Sequence, residues 1–267
     1  MIGAAPAKIN LGLVVGPMRP DGKHELLTIY QRVDLSDRIR VEPAGATTVE
    51  GFSQDTLVRR ALAALDGSRS WRIRIDKRIP VAAGLGGGSS DAATALRLAN
   101  TQLDEPLGPE SLHALAAGIG ADVPFFLADG PQLGSGDGTV LEPVDLPQDF
   151  AVLLFLPHGA TKRSTADVYA AFDERDGADG YAERAAALHE ALARVRRPRD
   201  LAELPANDLA ASPFADRLRE LGAFRADVSG AGPVVYGLFH NRTLARSALR
   251  SLKRGGRGWI CVPAWYG

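Results

Sequence analysis

Apolar and charged residues alternate strictly in Trp71-Arg72-Ile73-Arg74-Ile75-Asp76, the period of a strand with one face buried. Residues 38–42 repeat that pattern and residues 8–15 show it in part, so strands dominate the first seventy positions. One helix interrupts them over residues 56–65, where Leu57, Ala61, Leu62 and Leu65 share a face. A second is predicted over residues 89–100, where Ser89, Ser90 or Asp91 can cap free N–H groups and Ala, Leu and Arg favour helix. A third runs over 109–117 and stops at Gly118 and Gly120. The apolar run 150–156, closed by Pro157, reads as a buried strand, and residues 181–197 as an Ala-rich amphipathic helix. Residues 227–239 read as strand, glycine turn, strand. Strands and helices mix without strict β-α-β alternation, which favours an α+β fold over a doubly wound sheet. The Gly-, Pro- and Asp-rich segment 130–149 divides the chain into units 1–149 and 150–267.

Composition narrows the functional classes. Lys and Arg number 31 against 32 Asp and Glu, so no global field draws in nucleic acid or an anionic membrane, and any affinity for phosphate must be local. No apolar stretch approaches the roughly 18 residues of a membrane span, and the N-terminus lacks the basic start and apolar run of a signal peptide. The expectation is a soluble, cytoplasmic protein. The single cysteine, Cys261, excludes an internal disulfide framework and is expected buried and inert. Trp259, Trp265 and Tyr266 are expected in packing roles.

The chemistry concentrates in Pro80-Val81-Ala82-Ala83-Gly84-Leu85-Gly86-Gly87-Gly88-Ser89-Ser90-Asp91, which leads directly into the second helix. Glycines let backbone N–H groups crowd around an anion where a Cβ would obstruct, and the helix that follows adds the positive end of its dipole. Ser89 and Ser90 can donate to phosphate oxygens, and Ser90 is a candidate ligand for a magnesium ion bridging the phosphates. Two other phosphate loops are excluded by reading. The only Gly-Lys, Gly22-Lys23, is followed by His24 and not by Ser or Thr, and a dinucleotide loop starting at Gly84 needs glycine where Ser89 stands.

Residues 80–90 resemble the ATP loop of the GHMP kinases, P-x-x-x-G-L-G-G-G-S-S. Pro6-Ala7-Lys8-Ile9-Asn10-Leu11, Gly120-Ala121-Asp122-Val123-Pro124-Phe125-Phe126, Asn207-Asp208-Leu209 and Ser229-Gly230-Ala231-Gly232-Pro233 resemble further signatures of that family, in the same order. The resemblance implies a two-lobed fold, with a ribosomal-protein-S5-like N-terminal lobe, a ferredoxin-like C-terminal lobe and the active site between them. It also implies ATP and Mg2+ as cofactors and a small alcohol as acceptor, in a monomer or weak homodimer that binds neither nucleic acid nor membrane.

Residue by residue, it implies that Lys8 and Asp122 are catalytic, with Asp122 taking or orienting the proton of the substrate alcohol and Lys8 polarising that oxygen. Pro80, Ala82 and Ala83, then Gly84, Leu85, Gly86, Gly87 and Gly88, and finally Ser89 and Ser90 would surround ATP, with Lys77 reaching its phosphates or adenine. Asn10, Gly230 and Gly232 would contact the acceptor. Asp21-Gly22-Lys23-His24-Glu25-Leu26 is similar to an element that frames the cytidine diphosphate end of the substrate in one branch of the family. There His24 would meet cytosine, Lys23 replaces an aromatic that stacks on the base, and Tyr169 resembles a second stacking aromatic. Another small alcohol as acceptor, or a non-catalytic ligand sensor on the same fold, stays open at this point.

Overall fold

The computed structural model describes residues 1–160 and 164–264, so Trp265 and Tyr266 lie outside the described residues. Two long strands organise the first half of the chain. β1 (Ile2–Met18) and β2 (His24–Pro43) pair antiparallel, with register shifts at Pro6/Ala7, Asn10/Gly12 and Val15/Met18. Each shift leaves residues unpaired, Asp34 and Leu35 at the first, and so bends the strand and re-aims the side chains beside it. On the edge of β2 opposite β1, β4 (Trp71–Asp76) pairs with residues 38–43 and carries β3 (Thr48–Glu50) beyond it, while β5 (Gln132–Ser135) pairs with residues 28–30 and carries β6 (Val140–Pro143). The second sheet has the order β10-β7-β9-β8 and is antiparallel throughout, from β7 (Ala151–Pro157), β8 (Arg225–Val228), β9 (Val235–Phe239) and β10 (Gly256–Cys261). Every strand pairing among the described residues is antiparallel except that of β3 with β4, which are parallel and joined through a helix, so the fold is α+β, in two lobes.

The four expected helices form, with two informative differences, and three more that the sequence pattern does not predict, the fourth, sixth and seventh in chain order, join them among the described residues. α1 (Leu57–Leu65) and α3 (Pro109–Ile119) fall where the periodicity puts them, although α3 runs through Gly118 and ends at Gly120. α2 starts earlier than expected, at Gly87, and runs to Asn100. Its N-cap is Gly86 in the left-handed conformation (φ 67°), and no side chain caps it, so the cap expected from Ser89, Ser90 or Asp91 is not made. Asp91 instead turns inward to Lys77. α4 (Thr165–Asp173) is closed by a capping box between Ser164 and Asp167. α5 (Tyr181–Arg194) stops three residues short of the expected end, because Pro198 forces Arg197 out of the helical region and Asp200 takes the N–H groups of Arg196 and Arg197. α6 (Pro213–Glu220) and α7 (Arg242–Leu252) cover the second sheet.

One apolar core joins the two sheets. Ile9, Leu11, Val14 and Ile29 of the first pack with Val152, Leu154, Tyr236, Leu238 and Cys261 of the second, all at most 2% exposed. Burial pushes the Cys261 thiol up to about 12, so it is inert as a nucleophile. Ala92, Ala93, Ala95 and Ala99 line the buried side of α2, and such small side chains let the helix, with the loop before it, lie close against the hairpin of β1 and β2.

Candidate active site

A cavity of about 930 Å3 opens where the glycine loop, β1, β2, α4 and the turn after β8 converge. Lys8 and Asn10 stand two positions apart on β1 and so share one face. Lys8 Nζ donates to Asn10 Oδ1 at 2.7 Å and lies 3.4 Å from Asp122 Oδ2. Asn10 is held in turn by Thr28, which accepts from Nδ2 at 2.8 Å and donates to the Gly12 carbonyl. The Lys8 side chain is 6% exposed and that of Asp122 31%, so a buried ammonium sits behind a carboxylate that borders the cavity.

Two groups that the sequence did not single out complete this cluster. Tyr30, opposite Asn10 across the strand pair, donates its hydroxyl to Asp122 Oδ1 at 3.2 Å. Burial, with the Asp122 carboxylate beside it, pushes that phenol well above its usual range, so it stays a donor. Arg32 is 1% exposed and donates to the carbonyls of Phe125, Ala128 and Gly130, with its guanidinium over the Phe125 ring. It thereby pins the segment that follows Asp122. Asp122 does not cap the short 3-10 turn Pro124–Phe126, whose N-cap is Val123.

The glycine loop is stitched to its neighbours by backbone. Lys8 N donates to the Leu85 carbonyl, Val234 N to the Ala83 carbonyl and Ser229 Oγ to the Gly84 carbonyl. A Cβ on Gly84 (φ 81°) would lie 2.2 Å from the Ser229 carbonyl oxygen, and one on Gly86 would lie 3.0 Å from Lys8 Cγ. These glycines therefore answer to close packing as well as to space for an anion. Gly87, Gly88 and Ser89 begin α2 without a side-chain cap and line the cavity, which leaves their N–H groups to an anion. The two serines separate: Ser89 lines the cavity, whereas Ser90 is fully buried beneath it, its hydroxyl without a partner among the described residues. No cluster of three or more His, Cys, Asp or Glu that could hold a metal occurs among the described residues. That donor set fits a magnesium ion that arrives with phosphates and keeps much of its water, and does not fit a resident metal cage.

Lys77 lines the cavity beside Gly87 and is bound by two buried carboxyl groups, Asp37 Oδ2 at 2.5 Å and Asp91 Oδ2 at 2.8 Å. Burial, and the Asp37 charge nearby, push the Asp91 carboxyl up to about 8 against the pull of Lys77, so it holds a proton at neutral pH. The Lys77 ammonium is raised, since its carboxylate partners outweigh its burial.

Gly230 and Gly232, both at positive φ, form the turn between β8 and β9 at the same cavity; a Cβ on Gly230 would lie 3.5 Å from Lys8 Nζ. Asn207 holds that turn by donating to the carbonyls of Val228 and Gly230, which gives the Asn-Asp-Leu element a positioning role. At the far end of the cavity the His24 ring stacks on Tyr169, with centroids 4.7 Å apart and planes at 25°, and its Nε2 lies 2.8 Å from Asp173 Oδ1. One face of Tyr169 is therefore taken by His24, while the residue also lines the cavity. Lys23 pairs with Asp137, a carboxylate also held by Thr139.

An uncapped helix start beside a buried lysine and a carboxylate, in a cleft between two lobes, defines the site of a small-molecule phosphotransferase. Comparison with known proteins gives the particular family. A model of the GHMP kinases N terminal domain matches residues 56–130 and one of the GHMP kinases C terminal region matches residues 211–258. The 4-diphosphocytidyl-2-C-methyl-D-erythritol kinase of Deinococcus radiodurans is 38% identical over 97% of this chain and 91% of its own. The enzyme of that name from Nocardia farcinica is 42% identical over 86% of this chain and 81% of its own. A crystal structure of 4-(cytidine 5'-diphospho)-2C-methyl-D-erythritol kinase superposes with a TM-score of 0.78 at 35% identity, over 99% of both chains. A mevalonate kinase structure, 16% identical, superposes with a TM-score of 0.75 over 98% of this chain and 99% of its own and shares the fold. The chain belongs to the GHMP kinases and, within them, to the 4-diphosphocytidyl-2-C-methyl-D-erythritol kinase family.

Proposed function

We propose that this protein transfers the γ-phosphoryl group of ATP to the 2-hydroxyl of 4-diphosphocytidyl-2-C-methyl-D-erythritol, in the non-mevalonate route to isoprenoid precursors. The observation that carries the reading is the meeting, in one cavity, of the uncapped start of α2 with the Lys8–Asp122 pair, with Tyr169 and His24 at the far end. The names of the relatives supply the acceptor.

In this reading the N–H groups of Gly87, Gly88 and Ser89 hold the phosphates, and Asp122 faces the acceptor hydroxyl with Lys8 behind it. As the bond between the γ-phosphorus and the ADP oxygen breaks and the bond to the acceptor oxygen forms, Asp122 receives the hydroxyl proton late. An ordinary carboxylate is a weak base, and a loose transition state demands little early deprotonation. Lys8 stabilises the charge on the acceptor oxygen, and Tyr30 and Asn10 keep the pair in place. Mg2+, when bound with ATP, would neutralise phosphate charge; of the two loop serines Ser89 lines the cavity and would face it, whereas Ser90, the expected ligand, is buried beneath. Units 1–149 and 150–267 form the two walls of the cleft. The protein acts in the cytoplasm as a monomer or weak homodimer; no helix among the described residues is long and apolar enough to cross a membrane.

The test is ADP release in a coupled assay with Mg-ATP and the cytidylyl alcohol, beside mevalonate, homoserine and galactose. Turnover with the cytidylyl alcohol alone is expected. Turnover of another alcohol in its place would overturn the acceptor, and silence with all of them would overturn the activity.

A further inference from the structure

Beneath the phosphate loop lies a charge cluster whose composition is poor for stability. Lys77 Nζ is shared by Asp37 and Asp91, carboxyl groups that are both 0% exposed. One buried ion pair roughly breaks even against apolar packing, and a second acid on the same ammonium adds cost without adding charge balance. Asp91 Oδ1 also has no hydrogen-bond partner among the described residues, an unfavourable state for a buried polar atom. Where a chain carries so unfavourable a local arrangement, function is the first explanation to test.

The position of the ammonium supplies that function. A Cβ on Gly87 would lie 3.3 Å from Lys77 Nζ, so the charge rests against the first residue of α2, whose N–H is among those left uncapped. The Phe52 ring flanks it at 5.7 Å, while its carboxyl partners hold it from below. An ammonium has three donors; the two carboxyl partners take two of them, and Lys77 itself lines the cavity. Asp37 does more than hold the lysine. Its Oδ1 accepts from Arg78 N at 2.5 Å and Ile79 N at 2.8 Å, so the same carboxylate fixes the chain as it enters the loop at Pro80.

We propose that Asp37 and Asp91 are positioning residues for nucleotide binding, clamping Lys77 so that its remaining donor and the first N–H groups of α2 face one phosphate group together. A free lysine at this place would lose rotamer entropy on engaging a phosphate, and the clamp removes that loss in advance. The inference rests on the nucleotide-binding part of the proposed function and not on the identity of the acceptor.

The test is the dissociation constant of Mg-ATP by titration calorimetry without acceptor, for the wild type, Asp37→Asn, Asp91→Leu and Asp91→Asn, each also in a Lys77→Met background, with thermal melts as a check on folding. Asp91→Leu and Asp37→Asn should weaken ATP about tenfold or more, and Asp91→Asn, whose amide oxygen still accepts from Lys77, should restore most of the loss. In the Lys77→Met background the same changes should add less than twofold, because both acids act through the lysine. The KM for the acceptor should stay within twofold throughout. ATP binding unchanged in Asp91→Leu, or weakened equally with and without Lys77, would overturn the clamp even if the melting temperature falls. A wild type that fails to bind Mg-ATP would overturn the nucleotide reading itself. Should Asp37→Asn not fold, the Asp91 pair decides alone.

Discussion

Replacement of Gly84 by alanine tests whether the phosphate loop is placed by backbone packing. Gly84 sits at φ 81°, a region that costs an L-residue roughly 1–2 kcal/mol. The new Cβ would lie 2.2 Å from the Ser229 carbonyl oxygen and 2.9 Å from that of Gly232, both main-chain atoms with no side chain to swing aside. The loop and the turn after β8 must part by about 1 Å, and such overpacking costs roughly another 1–3 kcal/mol. The total of about 2–5 kcal/mol corresponds to a fall of roughly 5–20 °C in melting temperature for a chain of this size. Since Lys8 N donates to the Leu85 carbonyl, a displacement of about 1 Å moves the loop relative to Lys8, an error on the order of 100-fold in kcat/KM. Gly88→Ala is the control. Its Cβ meets only Leu57 Cδ1 at 3.4 Å, and alanine favours the helix by up to about 1 kcal/mol, so its melting temperature should hold or rise. Differential scanning fluorimetry and steady-state kinetics on both variants suffice. A Gly84→Ala enzyme that melts within about 1 °C of the wild type and keeps kcat/KM within about twofold would refute the packing argument on which these magnitudes rest.

Tyr30→Phe removes the donor to Asp122 while keeping the buried ring, so kcat should fall about tenfold with both KM values little changed, a split visible in initial rates. Lys23→Tyr loses an exposed ion pair to Asp137, worth at most about 1 kcal/mol, and gains an aromatic whose stacking is worth roughly 1–3 kcal/mol. The KM of the cytidylyl substrate should therefore drop, and a rise would show that the cation contributes more than the ring. Asp91 also makes stability depend on pH. Its folded carboxyl keeps a proton up to about pH 8, whereas the unfolded chain releases it near its ordinary value of 3.8. The native state thus binds the extra proton, and this group's contribution to stability declines as pH rises from about 4 to 8. Asp91→Asn cannot titrate, so its melting temperature relative to the wild type should climb across that range; a constant difference would contradict the assignment.

The parts of this fold that can be read from sequence are those whose information is local. β4 coincides with the alternation of residues 71–76, and α1 falls within a residue of its periodic stretch. The phosphate loop is contiguous and needs no knowledge of the tertiary fold. The partners that place it are not contiguous. Tyr30 reaches Asp122 only because β2 pairs with β1 in a particular register, and Asp37 reaches Lys77 from the neighbouring strand, 40 positions away. Asn207 holds the turn of Gly230 from a loop with no periodic pattern of its own. The expected cap of α2 failed for the same reason: Asp91 has the chemistry of a cap, but a buried lysine outside the helix competes for it. His24 and Tyr169, far apart in sequence, meet at one end of the cavity, and nothing in the sequence shows that the His24 ring lies on that of Tyr169.

The central claim is that Asp122, held by Lys8 and Tyr30, serves the transfer itself and not the binding of either substrate. Asp122→Asn keeps the shape and removes the charge, so single-turnover transfer from labelled ATP under saturating substrates measures the step directly. The account predicts a rate lower by about 100-fold or more with both dissociation constants within a few-fold of the wild type. Near-normal transfer by Asp122→Asn would contradict it.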